Sequence, residues 1–80
     1  MKVQVITPTS ILCSYDSLSM MVVPALEGEM GLLPGHTSII SILIDGKIKL
    51  YQNDEVVYEH EIKSGVMQFA NDTGVILISA

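Results

Sequence analysis

Glu27, Glu29 and His36 place two carboxylates and an imidazole within ten residues. That donor set could hold a catalytic zinc if the segment folded back on itself. The spacing matches no established metal motif, and a histidine directly after Pro34-Gly35 suits a turn, its ring meeting a backbone partner or another subunit. Cys13 is the one thiol. No Lys, Arg or His stands close to it in sequence to stabilise a thiolate, so it reads as a small buried hydrophobe rather than a nucleophile. His60 falls on the inward-reading side of an alternating segment. No G-x-S-x-G elbow, phosphate loop or dinucleotide fingerprint occurs, and Gly28, Gly31 and Gly35 lie beside Glu27 and Glu29, which would repel a phosphate. Asp45, Asp54 and Asp72 occupy turn positions. By elimination an active site is the weaker reading, and neither metal nor cofactor is expected.

The elements that must position these residues show a period of two almost throughout and no convincing helical stripe. Lys47 to Leu50 alternates cleanly. In Val56 to Ile62, the residues Val56, Tyr58, His60 and Ile62 share one face and Val57, Glu59 and Glu61 the other, as in a half-buried strand. Val3 to Ile6, Ile11 to Tyr15, Leu18 to Val23, Ile39 to Ile44, Val66 to Ala70 and Val75 to Ser79 are further segments of strand length. Ile11 to Val23 also admits a helical reading through Leu12, Tyr15, Leu18 and Val22, but its serines and the lack of a basic last turn favour two short strands. Asp45-Gly46 predicts a two-residue hairpin between Ile44 and Lys47. Asn53-Asp54 and Asn71 to Gly74 predict two more turns. Leu26 to His36, with three glycines and a proline, reads as a loop, though one carrying Leu26, Met30, Leu32 and Leu33. Turns at this spacing, with no room for crossover helices, predict an all-β antiparallel sandwich or flattened barrel forming one domain over residues 1–80.

Composition narrows function. A chain of 80 residues buries only about 60% of the surface its unfolded form exposes, which leaves little room for an elaborate buried site. Its longest apolar run, Met20 to Leu26, is far short of the roughly 20 residues a bilayer span needs, and no secretion signal or transit peptide is evident. A soluble chain is expected, and a single cysteine fits a reducing compartment. Nine acidic residues against four lysines give a net charge of -5. That sign disfavours nucleic acid and anionic bilayer surfaces and leaves a protein partner with a basic face attractive.

The segment Leu26-Glu27-Gly28-Glu29-Met30-Gly31-Leu32-Leu33-Pro34-Gly35-His36, led by Pro24, resembles the signature of the epsilon subunit of F-type ATP synthases, E-G-E-x-G-[IVL]-x-P-G-H after a proline. Three further stretches resemble that family in order: Val5-Ile6-Thr7-Pro8, Ile42 to Leu50 around Gly46, and Ser64 to Phe69 followed by Asn71-Asp72 and Val75-Ile76-Leu77. The likeness runs from about Val3 to Ala80. Ser38 stands where the family usually has proline, Ala25 where it often has glycine, and Gln68 where glutamate is usual.

The resemblance implies a β-sandwich of about ten strands, acting as a non-catalytic rotor subunit in the central stalk. It implies contact with the polar loops of the c-ring through Glu27, Gly28, Glu29, Met30 and Gly31, with Glu29 as the carboxylate facing the ring. Contact with the gamma subunit is implied through Leu33, His36 and Thr37. Proton-driven rotation would thereby reach the catalytic head, at the cytoplasmic face of a bacterial inner membrane and peripheral to it through the complex. Many members continue into a C-terminal helical hairpin with inhibitory or nucleotide-sensing roles; neither hairpin nor roles are expected here. Core packing is an equal reading for Leu32 or Leu33. A free-standing β-sandwich adaptor and a small metal-dependent enzyme built on Glu27, Glu29 and His36 are the competing readings.

Overall fold

Alternation becomes nine strands in the computed structural model, which describes residues 1–79. They are β1 (Lys2–Ile6), β2 (Ile11–Tyr15), β3 (Met20–Ala25), β4 (Gly28–Leu32), β5 (Ile39–Leu43), β6 (Gly46–Gln52), β7 (Glu55–Ile62), β8 (Gly65–Ala70) and β9 (Thr73–Ile78). Among the described residues there is no helix. Ile11 to Val23 forms two strands, as its serines suggest. Leu18 lies outside both, yet is buried in the connection between them.

The strands make one curled sheet in the order β2-β1-β9-β8-β5-β3-β6-β7, with β4 on the other side of β3. Its concave side encloses Val3, Val5, Met21, Val23, Leu32, Leu43, Ile48, Leu50, Met67, Phe69 and Ile76, all fully or almost fully buried. Every observed pairing is antiparallel except one. β1 lies parallel to β9, Lys2 facing Thr73 and Ile6 facing Leu77, so the wholly antiparallel expectation is corrected at this pair, one strand in from the β2 edge. The two edge strands approach across a seam that side chains close: the Tyr15 hydroxyl donates to the Val57 carbonyl at 3.1 Å, and the Tyr15 and Tyr58 rings stand 6.3 Å apart.

Two of the three expected turns reverse the chain. Asn53-Asp54 (φ 52° and 64°) and Asn71-Asp72 (φ 51° and 56°) place both central residues in the left-handed region. That is the geometry of a tight hairpin whose twist matches its strands. Asp45-Gly46 does not reverse the chain. β5 and β6 both run antiparallel to β3, along its same edge, Leu43 facing Ala25 and Lys49 facing Val22. The chain therefore continues in one direction, bulging between Ile44 and Lys49. In β7, Tyr58, His60 and Ile62 point inward as read, but Val56 is exposed. A register shift at Leu50/Tyr51 of the partner strand accompanies that departure.

Candidate functional site

The stretch that reads as a loop is largely a strand. β4 pairs with β3 along its whole length, Gly28 facing Ala25 and Leu32 facing Met21. Leu32 is fully buried and Met30 packs against the core, while Glu29 and Gly31 alternate outward. Its apolar residues thus anchor the strand, as alternation requires. Gly28 takes φ 130° at the start of β4 and Gly35 φ 85° in the turn beyond it, values for which glycine needs no Cβ relief.

The residues implied as c-ring contacts run from the tip of the β3–β4 hairpin along most of β4. Leu26 and Glu27 form the tip of the β3–β4 hairpin, and Glu27, Gly28, Glu29 and Gly31 are exposed while Met30 is half-buried. Among the described residues neither glutamate has an ion-pair partner. The residues implied as gamma contacts lie beyond the end of β4, after Leu32. Leu33, His36 and Thr37 are exposed, so of the two leucines Leu32 is core and Leu33 is surface. The His36 N–H donates to the Leu33 carbonyl at 3.2 Å, and the imidazole meets Phe69 edge-on at 6.1 Å.

A zinc site would need Glu27, Glu29 and His36 to converge. The extended strand between them holds the first two and the third apart, and among the described residues no three His, Cys, Asp or Glu side chains group to hold a metal.

Cys13 and His60 belong to the seam. Cys13 is half-buried and packs on the core; burial pushes its thiol pKa up, partly offset by hydrogen bonds with the Val5 backbone and Tyr58. Burial also raises Tyr58, and the neighbouring Cys13 adds to that. His60 stacks on Tyr58, centroids 6.1 Å apart and planes 13° from parallel.

One surface feature escaped the sequence reading. On the convex side a single row crosses five strands: Ile11 faces Ile6, Ile6 faces Leu77, Leu77 faces Val66, and Val66 faces Ile42. Leu26 completes it, its N–H donating to the Ile42 carbonyl at 2.9 Å. Ile11, Leu26, Ile42, Val66 and Leu77 are 42–64% exposed. At about 4.8 Å per strand the band is roughly 24 Å long. Ile40 in β5 and Ile44 just beyond it, also exposed, extend it from the His36 turn towards the Glu27 hairpin. The signal was each strand's second apolar face, visible only once the register was known.

A curled β-sandwich whose prominent surface features are an acidic hairpin, a braced turn and an apolar band has the character of a protein-contact module. The family described as ATP synthase, Delta/Epsilon chain, beta-sandwich domain matches residues 1–80, and the chain belongs to that family. It is similar to the ATP synthase epsilon chain of Pelagibacter ubique, 34% identical over 79 residues, covering 99% of this chain and 60% of the relative. It is also similar to that of Granulibacter bethesdensis, 36% identical over 74 residues, covering 92% and 54%. The chain thus spans little more than half the length of these relatives. Its fold matches a chain from the Tetrahymena thermophila mitochondrial ATP synthase central stalk/c-ring structure, with a TM-score of 0.81, 18% identity and coverage of 99% of this chain and 63% of that one. A chain from the Euglena gracilis mitochondrial ATP synthase OSCP/F1/c-ring structure matches with a TM-score of 0.77, 24% identity and coverage of 98% and 48%.

Proposed function

We propose that residues 1–80 act as one domain, a non-catalytic rotor subunit of an F-type ATP synthase that links the gamma subunit to the c-ring and so supports proton-driven ATP synthesis in the catalytic head. Leu33, His36 and Thr37, together with the apolar band, meet gamma; Glu27, Gly28, Glu29, Met30 and Gly31 meet the polar loops of the ring. The complex holds the chain peripherally at the cytoplasmic face of a bacterial inner membrane. Family membership supports the assignment, and the observation that carries its mechanical part is the apolar band. An exposed apolar strip that spans five strands and the β3–β4 hairpin tip is characteristic of a covered surface, and its length suits one amphipathic helix of about 16 residues. β3 joins the two contact regions, since it pairs with both the acidic hairpin strand and β5. Torque applied at one end therefore reaches the other through a hydrogen-bonded sheet.

The test is co-expression with the cognate gamma subunit and size exclusion at two salt concentrations. A stable one-to-one complex that Ile42→Ser together with Val66→Ser disrupts is expected. A folded chain that forms no complex returns the protein to the free-standing adaptor reading.

A further inference from the structure

We propose that Asp72 is a positioning residue for the Leu33–Thr37 turn, holding it against the β8–β9 hairpin and thereby setting the shape presented to gamma; the second part rests on the function proposed above. Asp72 is a central residue of that hairpin, in the left-handed region at φ 56°. Its Oδ1 accepts the Gly35 N–H at 2.9 Å. Its Oδ2 lies 3.7 Å from the Met1 amine, which is itself buried and donates to the Leu18 carbonyl at 3.0 Å.

The same hairpin supplies a second support. Phe69, in β8, makes a T-shaped contact with the His36 ring at an interplanar angle of 84°, and His36 Nδ1 lies 2.7 Å from the Thr37 carbonyl, to which it donates. The turn is otherwise exposed and is closed on itself by the His36-to-Leu33 bond alone among its backbone bonds. Two side chains from one hairpin, a carboxylate on Gly35 and an aromatic ring on His36, thus fix a segment with little core contact of its own. A carboxylate suits the task because Asp tolerates the left-handed backbone that the hairpin demands while its side chain reaches a neighbouring N–H.

Asp72→Asn and Asp72→Gly separate the parts, since both residues accept a left-handed φ but only Asn keeps an oxygen for Gly35. Gly35 amide exchange is measured by NMR on the 80-residue chain, and the dissociation rate from gamma on the co-purified complex. Asp72→Gly is expected to speed Gly35 exchange roughly tenfold, the scale of one hydrogen bond, and to speed dissociation from gamma about threefold or more; Asp72→Asn should stay near wild type in both. Unchanged Gly35 exchange in Asp72→Gly, or equal damage from Asp72→Asn, overturns the brace. Faster exchange with unchanged dissociation overturns its role in gamma binding, whereas loss of the gamma assignment itself is read separately, from the wild-type complex and its Ile42/Val66 variant.

Discussion

Gly46 lies so close to Pro24 that a Cβ built on its backbone would stand 2.6 Å from the Cβ of the proline. The contact falls where the chain passes from β5 to β6 along the edge of β3, and the Ile44 N–H donates to the Pro24 carbonyl at 2.9 Å beside it. Both atoms that a Cβ would meet, Cβ and Cγ of Pro24, belong to the proline ring and have little freedom to move. Gly46→Ala should therefore destabilise the fold by about 1–3 kcal/mol, the usual cost of overpacking. Urea unfolding would show this as a lower midpoint at an unchanged slope, and an unaltered midpoint would contradict the close approach.

Ser41 points into the core from β5, opposite Met67, and its Oγ is buried without a hydrogen-bond partner among the described residues. An unpaired hydroxyl costs about 1–3 kcal/mol of desolvation. Ser41→Ala is thus expected to raise stability by about 1 kcal/mol, or about 4–8 °C in Tm for a domain of this size. A fall in Tm on calorimetry would mean that the hydroxyl has a partner.

The raised Cys13 and Tyr58 pKa values make stability fall on the alkaline side. The folded state holds these protons more tightly than the unfolded chain does, so their contribution is complete below the unfolded pKa values. It is lost as pH rises through the folded ones. Denaturation midpoints measured from neutral to strongly alkaline pH should decline more steeply in wild type than in Cys13→Ala. Parallel curves would show that Cys13 takes no part.

Glu29→Lys should weaken attachment to the c-ring while leaving the melting temperature close to wild type, because Glu29 is exposed and has no ion pair among the described residues. An exposed charge pair contributes about 0.2–1 kcal/mol. The loss should shrink as salt rises, since screening already weakens the wild-type contact. Ring binding that is identical in both proteins across a salt series would remove Glu29 from the contact.

Much of this architecture is legible in local pattern. The alternation of Val57 to Ile62 and the Asn-Asp pairs at 53–54 and 71–72 announce their strands and turns, because period and left-handed tolerance are properties of a few adjacent residues. The family likeness likewise rests on a contiguous signature. Asp45-Gly46 misleads because the same glycine that permits a tight reversal also permits close approach of Pro24, and only the pairing with β3 distinguishes the two. Gly28 and Gly31 suggest a loop, but Met30 and Leu32 between and beyond them supply the inward face of a strand. The parallel β1–β9 pair and the convex apolar row are products of long-range register. No window around Ile11 or Leu77 reveals that those residues share a row.

The pairing of Lys2 with Thr73 has a consequence in time. β1 takes its place between β2 and β9, so it waits for a strand synthesised some seventy residues later before its second edge is satisfied. The β1–β2 hairpin can form early, but its other edge remains an open template until β9 arrives. Contacts of such sequence separation are slow to nucleate. Folding on the millisecond-to-second scale is the expected regime, with the unpaired β1 edge as the place where a nascent chain is most exposed to strand exchange with another copy.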